Sequence, residues 1–152
     1  MSLSPRFLAL FEAEGLEGKR ALDVGCGTGR VTLWLAPRVK HAVGLDRDAR
    51  ALADARRPAG EAGLVHVEFR EADVEREEYA RWQPDLVTAH LCASDAIVEL
   101  ASRALAPGQC LFMVAFHVDQ WRETGKVSRF AYDEGRMEHV VRPRGFVPEV
   151  IE

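Results

Sequence analysis

The chain has 152 residues, 47% of them hydrophobic, enough to bury one core and too few for two ordinary domains. A formal net charge of −4 gives no overall attraction for nucleic acid or an anionic membrane. No apolar run approaches the roughly 18 residues that span a bilayer, and the stretch from Met1 to Arg6 lacks a cationic segment leading into an apolar one. A cytoplasmic protein off the membrane is therefore expected. Cys26, Cys92 and Cys110 are odd in number, without Cys-x-x-Cys spacing or close histidines, which speaks against a disulfide framework or a zinc site.

Pro5 to Glu14 carries Phe7, Leu8, Leu10 and Phe11 near helical spacing and predicts a short N-terminal helix over the cofactor side or one flank of a sheet, broken by Gly15 and Gly18. Ala21 to Val24 is a continuous apolar run apart from Asp23, the pattern of a strand buried on both faces. Gly25, Gly27 and Gly29 then read as a tight turn into a helix through Arg30 to Ala36. Such a turn brings main-chain N–H groups to the start of a helix, where they favour the anionic end of a ligand. Two nucleotide cofactors fit a turn of this kind. The dinucleotide fingerprint is Gly-x-Gly-x-x-Gly, and here its third glycine is replaced by Arg30.

The observed order, Asp23-x-Gly25-x-Gly27-x-Gly29, resembles the first motif of the class I S-adenosylmethionine-dependent methyltransferases. The resemblance implies an α/β fold, a three-layer αβα sandwich around a doubly wound, mostly parallel Rossmann-like sheet of order 3-2-1-4-5 with a C-terminal strand. It also implies that the loop, Cys26 included, wraps the methionine part of S-adenosyl-L-methionine while Asp23 orients the loop and the cofactor's amino group. His41 to Asp46 reads as the second strand. Asp46 ends it with two acceptor oxygens suited to the ribose cis-diol, Arg47 lies beside it, and Asp48 is better placed to cap a helix from Asp48 to Arg57. Pro58 to Gly63 reads as a loop and Leu64 to Arg70 as the third strand. By the resemblance, Asp73 then accepts from the adenine amino group and the Val74 N–H meets a ring nitrogen.

Glu75 to Arg81 predicts a short helix and Pro84 to His90 the fourth strand. Pro84-Asp-Leu-Val87 resembles the family's approach to its fourth motif, but His90-Leu-Cys-Ala93 follows where enzymes methylating bases or glutamine carry Asp or Asn, then Pro-Pro-Tyr or Phe. That departure speaks against those chemistries. The resemblance puts His90 beside the cofactor, nearest the transfer point, where it reads equally as a general base at the carboxyl end of a central strand or as a buried structural histidine. Ser94 or Asp95 can cap a helix bearing Ile97, Val98, Leu100, Ala101, Ala104 and Leu105 on one stripe, and Leu105 to Phe112 resembles the family's turn into strand five, extending to about Phe116. His117, Asp119, Gln120, Trp121 and Arg122 follow on the ligand side, as a substrate wall with His117 a second catalytic candidate, or as a solvated loop anchored by Trp121.

Phe130 to Val141 predicts the last helix, with Asp133 as N-cap, Tyr132 in the staple position and Met137, Val140 and Val141 facing inward. The alternative makes Met137 to Val141 a strand followed by a hairpin at 142–145. Gly145-Phe146 resembles the approach to a sixth strand from Val147 to Ile151, where Pro148 suits an edge position. No residues remain for the family's seventh strand, whether the chain is naturally short or lacks a final piece. An unpaired sheet edge would then favour a homodimer.

The expected organisation is one domain over 1–152: a helical cap at 1–18, a cofactor-binding core at 19–116, and a substrate-side loop, last helix and edge strand at 117–152. The resemblance implies an enzyme that transfers the cofactor's methyl group to a small-molecule acceptor. Protein and RNA acceptors stay open, the latter through Arg56-Arg57 and Arg142 to Arg144. The alternatives are a cofactor-binding module without transfer, or one subunit of an assembly, and, third, an NAD-dependent oxidoreductase.

Overall fold

A computed structural model describes residues 3–117, 131–132 and 135–148. Its centre is a five-stranded, all-parallel sheet of order β3-β2-β1-β4-β5, formed by β1 (Arg20–Val24), β2 (His41–Asp46), β3 (Val67–Glu71), β4 (Leu86–His90) and β5 (Cys110–Val114). The order reverses between β1 and β4, which opens a crevice at their carboxyl ends. The expected strand order and three-layer architecture are those observed.

Register explains the two faces. Phe69, Gly44, Asp23, Thr88 and Phe112 stand side by side across the sheet in one row. Successive side chains of a strand alternate between faces, so this row shares its face with Ala21, Ala42 and Leu86. On that side pack α1 (Pro5–Glu14), α2 (Arg30–Leu35) and α3 (Ala49–Glu61) through Phe7, Phe11, Leu35, Leu52 and Ala55. Phe11 is wholly buried, its ring 4.3 Å from that of Phe112. The opposite face, with Leu22, Val24, Val43, Leu45 and Val87, is covered by α4 (Asp95–Ala104) and by Tyr79 of a 3-10 turn at Tyr79–Trp82.

Capping follows the sequence closely. The Asp48 carboxylate accepts from the N–H groups of Arg50 and Ala51 at 3.0 and 3.2 Å to start α3, and Ser94 Oγ accepts from the Ile97 N–H at 3.3 Å to start α4. Four predicted boundaries need correction. The third strand, expected from Leu64, starts only at Val67 and ends at Glu71. The helix expected to stop at Arg57 runs through Pro58 to Glu61, because the buried stripe Leu52, Ala55, Ala59 spans the proline and its packing outweighs the lost hydrogen bond. The helix expected from Glu75 to Arg81 is only the 3-10 turn. Strand five stops at Val114.

The carboxy-terminal part differs more. Phe116–His117 (β6) and Ala131–Tyr132 (β7) pair in parallel as a separate two-stranded sheet, so Tyr132 is no helix staple. The last helix, α5 (Arg136–Val141), begins after Gly135 and continues into a 3-10 turn at Arg142–Arg144. Met137 to Val141 is therefore helical rather than a strand. The proposed cap Asp133 and residues 149–152 lie outside the described residues. Val147 and Pro148 do not begin a strand: the Phe146 N–H is held by the Val141 carbonyl at 3.2 Å, and Val147 faces solvent.

The two edges of the sheet are unlike. The Ala42 N–H donates to the His66 carbonyl, and the Ala72 N–H donates to the Asp46 carbonyl, so even-numbered residues of the β3 stretch turn their peptide groups toward β2 and odd-numbered ones turn outward. The outward carbonyl of Phe69 is occupied by the Arg56 guanidinium at 2.6 Å. At the other edge, β5 presents a row of half-buried apolar residues from Leu111 to Val114.

Candidate functional site

The Gly25–Gly29 loop joins β1 to α2 at the point where the strand order reverses. It is tied down from β2: the N–H groups of Gly25 and Cys26 donate to the Leu45 carbonyl at 2.8 and 3.0 Å. Its glycines serve different ends. A Cβ on Gly25 would lie 2.3 Å from Cys92 Sγ, so that glycine is needed for packing. A Cβ on Gly27 would meet nothing within 4 Å, yet its φ of +55° is one that other residues reach at a cost, and it faces open space. Room for a ligand is therefore at Gly27.

Asp46 closes the loop. One carboxylate oxygen accepts from the Gly27 N–H at 2.8 Å and the other from the Asp48 N–H at 2.9 Å. Each oxygen retains a second acceptor site. The neighbouring Arg47 is exposed. The Ala72 N–H donates to the Asp46 carbonyl at 2.9 Å, which brings the Asp73 turn alongside. Asp73 is exposed and caps its own turn through the Glu75 N–H at 3.0 Å, with Arg76 Nε at 3.7 Å. Val74 is buried, and its carbonyl accepts from the Tyr79 hydroxyl.

Asp23 lies beneath this surface, 2% exposed. Its carboxylate accepts from Thr32 Oγ1 at 2.6 Å. Burial pushes its pKa up to about 7, against the lowering effect of the Thr32 hydroxyl and N–H, and the Asp46 charge adds to the rise. Thr32 was not singled out from the sequence. The available signal was a hydroxyl within the otherwise apolar first turns of α2, opposite a buried acid. Beside Asp23 in the sheet, Thr88 is fully buried and its hydroxyl has no hydrogen-bond partner among the described residues. The Cys26 thiol is also pushed well up, by burial first and the charges of Asp23 and Asp46 next, so it stays protonated and is no nucleophile.

His90 ends β4 with its ring 5.0 Å from Phe7 of α1. Burial, then the charge of Arg30, holds its pKa below 6.5, so the imidazole is neutral at pH 7. The next residue, Leu91, has φ of +57°, held by its N–H bond to the Val114 carbonyl at 2.7 Å. A left-handed leucine is strained, and such strain collects at functional turns. The backbone of His117 is in β6; its side chain and all of Asp119, Gln120, Trp121 and Arg122 lie outside the described residues. Two open hollows of about 440 and 450 Å³ flank β3, and neither reaches the glycine loop. Among the described residues, no group of three His, Cys, Asp or Glu could hold a metal, and no helix is long and apolar enough to cross a membrane.

A family model described as a methyltransferase domain matches residues 21–108, more than half of the chain and the whole span from β1 to the turn before β5. The chain belongs to the class I S-adenosylmethionine-dependent methyltransferases. Among curated relatives, the chain is 35% identical over 106 residues to the ubiquinone biosynthesis O-methyltransferase of Leptothrix cholodnii, a match covering 64% of the chain and 44% of that protein. It is 42% identical over 62 residues to the 23S rRNA (uracil(1939)-C(5))-methyltransferase RlmD of Stenotrophomonas maltophilia, covering 41% of the chain and 14% of that protein. The chain thus spans less than half the length of the relatives it matches. Among solved structures, its fold is similar to phosphoethanolamine N-methyltransferase 2 of Haemonchus contortus in complex with S-adenosyl-L-methionine. That match has a TM-score of 0.77 at 20% identity, over 93% of this chain and 36% of that one.

The residues present fit the family's cofactor. The open cradle at Gly27, the spare acceptor sites on Asp46, and an exposed carboxylate at Asp73 offer an unobstructed, acceptor-rich edge along the carboxyl ends of β1, β2 and β3.

Proposed function

We propose that this methyltransferase transfers the methyl group of S-adenosyl-L-methionine to a hydroxyl oxygen of a small-molecule acceptor. The observation that carries the reading is the Gly27–Asp46 hydrogen bond, which joins the glycine cradle to the second-strand acid. In this reading Gly25, Cys26, Gly27 and Gly29 wrap the methionine part and Asp23 braces them from below through Thr32. Asp46, with Arg47 beside it, takes the ribose hydroxyls, and Asp73 and the Val74 N–H take the adenine edge.

When bound, the cofactor supplies an electrophilic methyl on a sulfonium. What remains for the chain is to align the acceptor, exclude water and dispose of one proton. His90, neutral at pH 7 and at the end of the strand beside β1, is the group we assign to the proton; His117 is the second candidate. Support for a small acceptor comes from the ubiquinone O-methyltransferase relative and the net charge of −4, which disfavours the RNA acceptor suggested by the RlmD relative. We also infer a single domain, a cytoplasmic location and a homodimer through the edge of β5.

The test is calorimetry with S-adenosylhomocysteine and NAD, followed by transfer of labelled methyl to size-fractionated extract. Expected are micromolar binding of S-adenosylhomocysteine, weaker or no binding of NAD, and label in the small-molecule fraction. Label only in RNA or protein would replace the acceptor class, and binding without label in any fraction would favour a cofactor-binding module.

A further inference from the structure

Beyond the cofactor edge, a second cluster of polar contacts holds the carboxy-terminal part to one face of α4. Asp95, the first residue of that helix, accepts from the Tyr132 hydroxyl at 3.0 Å and pairs with Arg136 at 3.2 Å. One turn later Glu99 pairs with Arg144 at 2.8 Å, and Arg144 also reaches the Val140 carbonyl at 2.8 Å. Between these two polar points Val140 and Val141 pack on Val98. The Tyr132 ring is 6% exposed and lies 5.7 Å from the Arg136 guanidinium.

The position of the first contact matters more than its strength. An exposed ion pair such as Asp95–Arg136 has little worth alone, but the Tyr132 phenol is buried, and a buried donor must keep its acceptor. Asp95 stands five positions after His90, just past the carboxyl end of β4, the edge on which the methyl-transfer reading places the acceptor. Tyr132 belongs to β7, which pairs with β6 just past the carboxyl end of β5. One carboxylate therefore sets how the β6–β7 pair stands relative to the strained turn at Leu91. The ties to the Gly25–Gly29 loop run through Leu45 and Asp46 instead, so the cofactor half does not depend on this contact.

We propose that Asp95 is a positioning residue for the acceptor: through Tyr132 and Arg136 it fixes the β6–β7 wall beside the end of β4. The proposal rests on the methyl-transfer reading and adds to it which residues set acceptor affinity separately from cofactor affinity.

The experiment compares the intact chain with Asp95→Ala, Asp95→Asn and Tyr132→Phe. Three quantities are read: S-adenosylhomocysteine affinity by calorimetry, amide hydrogen exchange, and steady-state methyl transfer to catechol as a small hydroxyl probe. Expected for Asp95→Ala and Tyr132→Phe is cofactor-product affinity within twofold of the parent and exchange at least tenfold faster at Tyr132 and 136–141 but not in β1 or β2. KM for catechol should rise about tenfold with kcat within threefold. Asp95→Asn, which keeps an acceptor for the phenol, should recover most of the KM. An unchanged KM and exchange pattern, or a parallel loss of cofactor-product affinity, would overturn the proposal. If the parent protein transfers no methyl to catechol, it is the acceptor reading that fails there; the exchange contrast and the binding constants still decide whether Asp95 holds the wall.

Discussion

The Gly27 N–H donates to an Asp46 carboxylate oxygen at 2.8 Å, across 19 residues of chain. The acid that faces the ribose in the proposed reading is thus also the acid that shapes the loop for the methionine part. Losing it removes two things at once. Asp46→Ala should weaken S-adenosylhomocysteine binding by about 100-fold, since hydrogen bonds to a charged group are worth about 1.5–3 kcal/mol each. Asp46 is only half-buried, so the melting temperature should move by no more than a few degrees. Calorimetry and thermal unfolding on the same sample separate the two effects.

The glycines should divide by mechanism. Gly25→Ala drives a Cβ to 2.3 Å from Cys92 Sγ and 2.7 Å from Cys92 Cβ, which requires backbone movement and should cost about 2–4 kcal/mol of stability. Gly27→Ala meets no neighbour and should cost only about 1 kcal/mol, for its φ of +55°. Cofactor-product binding should nonetheless fall in Gly27→Ala, because the added methyl stands in the cradle. Chemical denaturation paired with binding tests this crossing of effects.

Asp23 makes stability depend on pH in an unusual direction. Its folded pKa of about 7 lies above the ordinary 3.8, so the folded state holds a proton the unfolded chain has lost. Stability then falls as pH rises from about 4 to 7, by as much as about 4 kcal/mol at 1.36 kcal/mol per unit. Asp23→Asn should flatten that slope. Thr32→Val, which strips the carboxylate of its 2.6 Å donor, should destabilise by about 1–3 kcal/mol at pH 8 and by less at pH 5. Denaturant midpoints measured from pH 5 to 8 give the sign directly.

His90 should appear in the rate. With its pKa held below that of an ordinary imidazole, methyl transfer should rise with pH through a midpoint more acidic than that of a free histidine and then level off. His90→Gln should remove that limb and lower kcat by roughly 100-fold, with S-adenosylhomocysteine affinity little changed. A pH–rate profile of both proteins, run between pH 5 and 8, checks it.

The fold was legible because each strand announces itself locally: apolar runs at Ala21 to Val24 and Leu86 to Ala89 can only be buried on two faces, and the glycines mark the crossing between them. Asp46 stands out at the end of its strand, whereas Asp73 is singled out only by the family resemblance. What could not be read depended on partners distant in sequence. Pro58 looked like a helix stop, since nothing local reveals that Ala59 packs with Phe69 on the sheet. Thr32 gains meaning only from Asp23 lying opposite, and His90 only from Phe7, 83 residues earlier and 5.0 Å away. The β6–β7 pair joins two-residue strands too short to leave any period, and Tyr132 gave no hint of Asp95.

Arg56 has a consequence for assembly. By filling the outward carbonyl of Phe69 it hinders an incoming strand at β3, whereas β5 is the edge through which we infer pairing. A molecule with one closed and one open edge can add a neighbour on one side only. Pairing through β5 would use the same patch on both copies and finish at two, whereas two open edges would let copies line up without end. The arginine is then a chain terminator for sheet growth, and Arg56→Ala is the substitution by which a self-limiting dimer would become a fibre.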